Sequence, residues 1–382
     1  MVSKVARMKI SSKLVVGALG AVGAGAAAVA AGVAAYALSS PAEPANAKLI
    51  SDYDGPHDDD VVVSGDGTRL HVRSWGPAGG PIAVLVHGWT CNVGNFPRQV
   101  EHLVGRGYRV VSYDQRGHGE SEPGAFAYST GVLADDLHAV LGTVVPAGEK
   151  ALLVGHSMGG ITIMAWAGKY TDEVAEKAHH AVLLSTFVRD AVPAFAGATP
   201  LAALPRVAPR LSQRLGDAVL GAPVKLRHNR IHTAVLRYSA LCGYASCGAV
   251  RYTEDMVAAC PPDVRGEWGH VLANADVTDG LQKLAIPTSV AVGQYDHLTP
   301  PADAELIAAE LKLTGHLDRF AVIRDSGHML PLEQPEKLNA LLDSIIEGRP
   351  VTAGAPGSAS DESSGLVIPI ASESPGAAGD PI

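Results

Sequence analysis

Ser157 stands in the pattern G-x-S-x-G, within the segment Gly155-His156-Ser157-Met158-Gly159. An apolar run of strand type precedes this segment, and a small-residue run of helix type follows it. A serine at such a turn projects its hydroxyl from a tight, strained backbone, and the neighbouring glycines clear the space around it. The helix that begins there directs free backbone N–H groups at negative charge developing beside the serine. This arrangement predicts that Ser157 is the nucleophile of an acyl-transfer reaction.

His328 and Asp296 are the residues expected to activate the serine, because a serine hydroxyl alone is a weak nucleophile. His328 follows the last predicted strand, in DSGHMLPLEQP, and Asp296 follows the strand before it, in VGQYDHLTPP. The carboxyl ends of parallel strands meet at one edge of a sheet, where Ser157 also lies. We therefore expect His328 to act as the base and Asp296 to orient its imidazole. Asp303 and Asp325 are neighbouring carboxylates that remain alternatives for the second role.

An acyl transfer also needs two donors for the negative oxygen of its tetrahedral intermediate. The N–H of Met158, directly after the nucleophile, is one candidate. The second should come from the loop after the strand IAVLVH, and we choose the N–H of Trp89, with Gly88 allowing a close approach. His87 and His156, which flank these donors, are expected to be structural.

The segment YDQRGHGES contains charged residues that could be taken for catalytic ones. Asp114 is an alternative catalytic carboxylate, but the sequence favours a structural role in which Asp114 and Arg116 hold the loop by hydrogen bonds. Further along, Asp135 and Asp136 are expected on the solvated face of a helix.

The four cysteines are too few for a dense disulfide scaffold. A disulfide Cys242–Cys247, or one involving Cys260, is compatible with an exported domain, while Cys91 could be a free, partly buried thiol. No spacing of His, Cys and Asp matches a metal site, and the predicted chemistry needs no cofactor.

The elements that must position these residues alternate along the chain. Two strands around the Asp66-Gly67 turn form a hairpin signal, and apolar strands then alternate with amphipathic helices. Such an order predicts an α/β fold with a mostly parallel central sheet and helices on both faces. The alternation breaks at about residues 187–285, where helical stretches and prolines replace strands, and it then resumes with two strands. We predict a helical cap there, inserted before the last two strands, with a separate helical domain as the alternative.

The N-terminus carries four cations ahead of an uncharged run at residues 14–38; these are Lys4, Arg7, Lys9 and Lys13. The length of the run favours a membrane anchor, since a span needs about 20 residues. Its Ala- and Gly-rich composition and the pattern Ala45-Asn46-Ala47 favour a cleaved signal peptide instead. Residues 1–47 are thus a signal peptide or an N-terminal anchor, and membrane association through residues 14–38 is possible. Either alternative places the catalytic domain outside the cell.

Amino-acid composition predicts the state of the C-terminal segment and excludes one class of binding partner. No Lys or Arg follows Arg349, and residues 349–382 are rich in Gly, Ala, Ser and Pro, which predicts a disordered tail after a domain at residues 48–348. The formal net charge of −9 argues against nucleic acid as a partner. The sequence leaves the oligomeric state open.

The segments HGW, YDQRGHGES, GHSMGG, GQYDHLTP and DSGHMLPLEQP together resemble the α/β-hydrolase fold superfamily over residues 61–348. The resemblance is to a capped branch that holds esterases, lipases, cofactor-free haloperoxidases, C–C bond hydrolases and epoxide hydrolases. It implies Ser157, Asp296 and His328 as a triad and Trp89 and Met158 as oxyanion donors. Epoxide hydrolases and haloalkane dehalogenases carry Asp where this chain has serine, so the resemblance implies acyl chemistry.

The sequence thus predicts a serine hydrolase that cleaves a small apolar carboxylic ester through an acyl-enzyme. One alternative is a perhydrolase of the haloperoxidase type, which would use the same triad with peroxide. The other is an anchored binding protein of the same fold without activity.

Overall fold

A single mixed sheet forms the centre of the computed structural model, which describes residues 50–189, 230–348 and 366–367. The order of the strands across the sheet is β1-β2-β4-β3-β5-β6-β7-β8-β9. The strands are β1 His57–Val63, β2 Arg69–Trp75, β3 Ile82–Val86, β4 Arg109–Tyr113, β5 Ala151–His156, β6 Ala178–Leu184, β7 Thr288–Gly293, β8 Leu317–Ile323 and β9 Leu366–Val367.

The six strands from β4 to β8 run parallel, while the β1–β2 hairpin and β9 pair antiparallel at the two edges. Strands β3, β5 and β7 are buried along their whole length. Their continuous apolar sequences therefore fit a sheet that is covered on both faces. Because the strands are parallel, the loops after β3, β4, β5, β7 and β8 leave the sheet at one edge.

Helices cover both faces of the sheet. They are α1 Pro97–Gly105, α2 Thr130–Val144, α3 Met158–Lys169, α4 Val174–Lys177, α5 Arg230–Ala240, α6 Cys247–Ala259, α7 Pro262–Ala273, α8 Thr278–Lys283, α9 Pro301–Thr314, α10 Leu330–Glu333 and α11 Pro335–Ile346. Successive side chains of a strand point to opposite faces of the sheet and pack into two apolar cores. Val84 packs in the core that contains α2 and α3, and Leu85 packs in the core that contains α1 and α11. The predicted α/β-hydrolase fold class is confirmed.

The helices α5 to α8 lie between β6 and β7, within the segment for which the sequence predicts a cap. The other part of that segment, residues 190–229, lies outside the described residues. Three strands follow these helices, since the short β9 pairs with β8 in addition to the two predicted strands.

The predictions for the two termini fall largely on undescribed residues. The N-terminal segment, including residues 14–38, lies outside the description, and so does the predicted tail apart from Leu366 and Val367. In the part of the chain that is described, no helix has the length and apolar character required to cross a bilayer.

Candidate active site

Ser157 occupies the turn between β5 and α3 with a backbone φ of 53° and ψ of −116°. A positive φ is uncommon for a residue with a Cβ and has an energetic cost that the surrounding contacts must offset. Two hydrogen bonds hold the strained residue. Its N–H donates to the carbonyl of Leu184 over 2.9 Å, and its carbonyl accepts from the Thr186 hydroxyl over 2.8 Å. The sharp turn predicted from the sequence is therefore present and fixed by the neighbouring strand.

The glycines around Ser157 are required by close backbone contacts. A Cβ on Gly159 would overlap the carbonyl oxygen of Val86, and one on Gly155 would lie 2.6 Å from the carbonyl oxygen of Gly159. A Cβ on Gly160 would press on the Thr186 side chain at 2.8 Å. The G-x-S-x-G pattern thus reflects the packing of α3 directly against β3 and β5.

Asp296 and His328 are in direct contact. The Nδ1 atom of His328 lies 2.9 Å from Oδ2 and 3.1 Å from Oδ1 of Asp296. The N–H groups of Leu298 and Thr299 donate to Oδ1, and the Thr299 hydroxyl donates to Oδ2 over 2.8 Å. Burial would raise the pKa of Asp296, but the charge of His328 and these hydrogen bonds hold it below its usual value. The carboxylate is therefore ionised and bound to the imidazole.

The loop that carries His328 also touches the turn that carries Ser157. The neighbouring side chain, His156, places its Nε2 atom 2.9 Å from the backbone carbonyl oxygen of His328, and the two imidazole rings lie 5.0 Å apart. Among the described residues the Ser157 hydroxyl has no hydrogen-bond partner. The structure thus brings Asp296 and His328 into contact and places Ser157 in the adjoining turn.

Met158 and Trp89, the predicted oxyanion donors, come from two segments that meet at Ser157. Met158 is the first residue of α3, where a helix offers no internal acceptor for the N–H group. Gly88 is so close to the turn that a Cβ there would lie 2.8 Å from Nδ1 of His156 and 3.3 Å from Cβ of Ser157. The indole of Trp89 donates to the carbonyl of Arg265 over 3.1 Å and so fixes this loop to α7.

His87 and His156 are both buried and hydrogen-bonded, as a structural role requires. The N–H of Gln115 donates to Nε2 of His87 over 2.9 Å. Burial lowers the pKa of His87, and it lowers the pKa of His156 to about 3. Both rings are therefore neutral in the folded protein at ordinary pH.

Asp114 holds loops together, in agreement with the structural role that the sequence favours. Its carboxylate accepts from His71 Nδ1 over 2.8 Å, from the N–H of Val93 over 2.8 Å and from the N–H of Glu120 over 2.9 Å. Asp114 thereby links β2 to the loops that follow β3 and β4.

Asp136 does not lie on a solvated helix face, so that prediction is wrong. It is 1% exposed and accepts two hydrogen bonds from Arg116, over 3.0 and 2.7 Å. The Ser64 hydroxyl adds a third over 2.6 Å. Because a buried charge needs a partner, Arg116 and Asp136 form a buried ion pair that joins the loop after β4 to α2. The neighbouring Asp135 is partly exposed and pairs with Lys169.

All four cysteines are free, so the structure forms none of the disulfides considered from the sequence. Burial raises the pKa of Cys91, Cys242 and Cys260 to about 12, and these three thiols are protonated. Within the described residues no group of three or more His, Cys, Asp or Glu side chains is placed to hold a metal ion.

Two residues that support the site were not anticipated from the sequence. Thr299 holds the carboxylate of Asp296, and the Asp-x-x-Thr spacing of a turn was the signal that could have indicated it. Glu333 is a partly buried carboxylate that accepts from the N–H groups of Gly327 and Cys242 over 2.9 and 2.7 Å. The partner Cys242 lies 91 residues away along the chain, so no local pattern could indicate that contact.

A mostly parallel sheet with a serine at the β5 turn and an Asp–His pair after β7 and β8 defines an α/β-hydrolase. The chain belongs to the serine aminopeptidase, S33 family, whose model matches residues 81–335. It is 25% identical over 295 residues to a non-heme chloroperoxidase of Streptomyces lividans, covering 75% of this chain and 99% of that protein. It is 26% identical over 293 residues to the bifunctional esterase/perhydrolase DCH of Acinetobacter calcoaceticus. That match covers 75% of this chain and 98% of the relative.

A thermophilic esterase from Thermogutta terrifontis is a structural neighbour with a TM-score of 0.57 and 26% identity. The match covers 76% of this chain and 98% of the esterase. These relatives are esterases, perhydrolases or haloperoxidases, and the chain is accordingly an α/β-hydrolase enzyme of the serine-hydrolase type.

Proposed function

We propose that this enzyme hydrolyses a small apolar carboxylic ester with Ser157, His328 and Asp296 as its catalytic triad. The observation that carries the proposal is the buried Asp296–His328 hydrogen bond, next to a strained serine whose hydroxyl is unengaged among the described residues. A bound Asp fixes Nδ1 of the imidazole as a donor and leaves Nε2 to act as a base.

In the first half of the reaction, Ser157 attacks the ester carbonyl while Nε2 of His328 takes the hydroxyl proton. Asp296 stabilises the imidazolium that results. The N–H groups of Met158 and Trp89 bind the oxygen that becomes negative. His328 then returns the proton to the departing alcohol, and an acyl-enzyme remains.

In the second half, His328 takes a proton from water, and the resulting hydroxide attacks the acyl-enzyme. The same two N–H groups bind the second tetrahedral intermediate. The acid leaves and Ser157 regains its proton, so the cycle uses no cofactor.

The cap is proposed to supply the acyl pocket. Helix α7 of the predicted cap is fixed in place, because the Trp268 indole donates to the carbonyl of Arg116 over 2.9 Å and the Trp89 indole donates to the carbonyl of Arg265. Trp268 also stacks on Tyr128 with ring centroids 4.4 Å apart. Because α7 is held against the loop of Trp89, we propose that the space beside it accepts an apolar acyl chain of limited length.

A chain-length series of p-nitrophenyl esters tests the proposal. We expect turnover that falls beyond a short acyl chain and is lost in Ser157→Ala, with the fold unchanged by circular dichroism. Ser289→Ala is the matched control, because Ser289 is a buried serine of β7 whose hydroxyl contacts His180 rather than the site. Wild-type turnover in Ser157→Ala would overturn the mechanism, and failure of a fluorophosphonate to label Ser157 would favour a binding protein without activity.

Perhydrolysis is the second candidate, favoured by the similarity to a bifunctional esterase/perhydrolase and a chloroperoxidase. Hydrogen peroxide would replace water as the nucleophile that attacks the acyl-enzyme and would give a peracid. Measuring peracid and acid formation side by side, in acetate and peroxide, separates the two reactions.

Export of the catalytic domain is likewise proposed, from the cations and the uncharged run at residues 14–38. N-terminal sequencing of the mature protein distinguishes a cleaved signal peptide from a retained anchor. An unprocessed chain in the cytoplasmic fraction would contradict export.

A further inference from the structure

We propose that His156 is a positioning residue that ties three loops of the active site together through its two ring nitrogens. The inference rests on the proposed triad, since its effect is exerted on His328. His156 is the second residue of the G-x-S-x-G segment and is 1% exposed.

The hydrogen bonds of His156 fix which nitrogen carries the proton. Nε2 lies 2.9 Å from the carbonyl oxygen of His328, and a carbonyl oxygen only accepts, so Nε2 donates. Nδ1 lies 3.2 Å from the amide nitrogen of Asn95, which only donates, so Nδ1 accepts. A neutral ring with one donor and one acceptor satisfies both contacts.

The orientation of the Asn95 amide follows from this assignment. Asn95 is fully buried, and its Oδ1 atom has no hydrogen-bond partner among the described residues. The amide thus leaves one acceptor unpaired while its nitrogen faces His156. A buried unpaired acceptor is costly. Turning the amide over would place Oδ1 against Nδ1, which has no proton when Nε2 donates, so the amide nitrogen must face His156.

The partners of His156 belong to separate parts of the active site. Asn95 ends the short 3-10 turn Val93–Asn95, a few residues after the oxyanion candidate Trp89. Gly88, in the same loop, lies against the His156 ring. His328 lies in the loop after β8, and His156 itself precedes Ser157. One imidazole therefore spans the nucleophile turn, the oxyanion loop and the base loop.

A change of protonation does not underlie this role. Besides burial, the charge of His328 lowers the pKa of His156 to about 3, while Asp296 acts in the opposite direction and His87 lowers it further. The ring therefore keeps one neutral form across the working range of a hydrolase. Its action is geometric: it fixes the backbone of His328 and hence the distance from Nε2 of that residue to Ser157.

Two substitutions test the proposal. His156→Phe keeps a planar ring but removes both hydrogen bonds, and we expect kcat to fall about 10- to 100-fold with KM nearly unchanged, since small misplacements of catalytic groups cost this much. His156→Gln can donate from its amide nitrogen and accept at its amide oxygen, and we expect it to recover most of the loss. The rate of fluorophosphonate labelling of Ser157 should follow the same order.

A structural readout separates failure of this proposal from failure of the proposed function. In the 15N NMR spectrum of imidazole nitrogens, His156 should show a protonated Nε2 and an unprotonated Nδ1 that do not titrate between about pH 5 and pH 9. Titration in that range, or the opposite tautomer, would overturn the inference even in an inactive chain. So would wild-type kcat in a folded His156→Phe, or equal losses in the Phe and Gln variants that track their unfolding midpoints. Absence of ester turnover and of Ser157 labelling in the wild type would instead overturn the proposed function.

Discussion

The Nδ1 atom of His328 lies 2.9 Å from the Oδ2 atom of Asp296, inside the protein and at the carboxyl edge of the sheet. Two backbone N–H groups and the Thr299 hydroxyl also donate to this carboxylate. The contact orients the imidazole before any substrate arrives. The position of the imidazole and of the negative charge beside it therefore depends on the loops after β7 and β8.

Replacing Asp296 by Asn should abolish most activity without unfolding the protein. An amide cannot stabilise the imidazolium and favours the wrong tautomer, so we expect kcat to fall about 10³- to 10⁴-fold. Steady-state kinetics with a p-nitrophenyl ester, together with urea unfolding, measure the effect. A loss of less than about tenfold in a folded variant would exclude Asp296 as the partner of the base.

Asp303 should make stability depend on pH. Burial, and then the charge of Asp296, raise the pKa of Asp303 from 3.8 to about 6. A carboxyl whose pKa is higher in the folded state contributes stability that is full below the unfolded value and is lost as pH rises through about 6. Asp303→Asn should thus be more stable than the wild type at about pH 8, by roughly 1 kcal/mol after allowance for solvent screening.

Urea unfolding of Asp303→Asn at several pH values checks this expectation. The difference from the wild type should shrink as pH is lowered from about 8 to about 5. Asp172→Asn, at an exposed position, is the control and should show no such trend. A difference for Asp303→Asn that is constant with pH would contradict the assignment.

The buried pair of Arg116 and Asp136 should contribute strongly when one partner is removed. Arg116→Met leaves the carboxylates of Asp136 and Asp66 without the guanidinium that both bind, and we expect a loss of about 3–5 kcal/mol in the free energy of unfolding. Arg98→Met, which breaks a pair with the exposed Glu101, is the matched control and should change the unfolding midpoint little. Equal losses of stability in the two variants would show that the buried ion pair of Arg116 contributes no more than the exposed pair of Arg98.

Gly159 and Gly142 should respond oppositely to alanine, although both are helical glycines. A Cβ on Gly159 would overlap the Val86 carbonyl, and overpacking of this kind costs about 1–3 kcal/mol. A Cβ on Gly142 meets nothing within 4 Å, so Gly142→Ala should stabilise by up to about 1 kcal/mol. Urea unfolding of both variants is the measurement, and a stable Gly159→Ala would contradict the packing described for α3.

Much of the fold and of the site follows from local sequence patterns. Apolar runs between amphipathic helices predicted the parallel sheet, because strands buried on both faces must be apolar throughout. Strand ends then located Ser157, Asp296 and His328 at one edge, since parallel strands release their loops on the same side. The direct contact between Asp296 and His328 accords with that reasoning.

Contacts between distant segments could not be derived in this way. Asp136 lies on the buried face of its helix with Leu133 and Val140, but no local pattern indicates that Arg116 lies opposite to pair with its charge. Free energies of burial and of ion pairing depend on what lies across the contact, and a residue type carries no information about that partner.

The sequence by itself thus determined the order of the strands and helices, the serine turn and the loops that carry the charged residues. It expected His156 to be structural, but only the tertiary structure decided that its ring bonds to Asn95 on one side and to His328 on the other. The reason is physical: periodicity and turn chemistry act over a few residues, whereas a hydrogen bond across 172 positions exists only after the chain has folded.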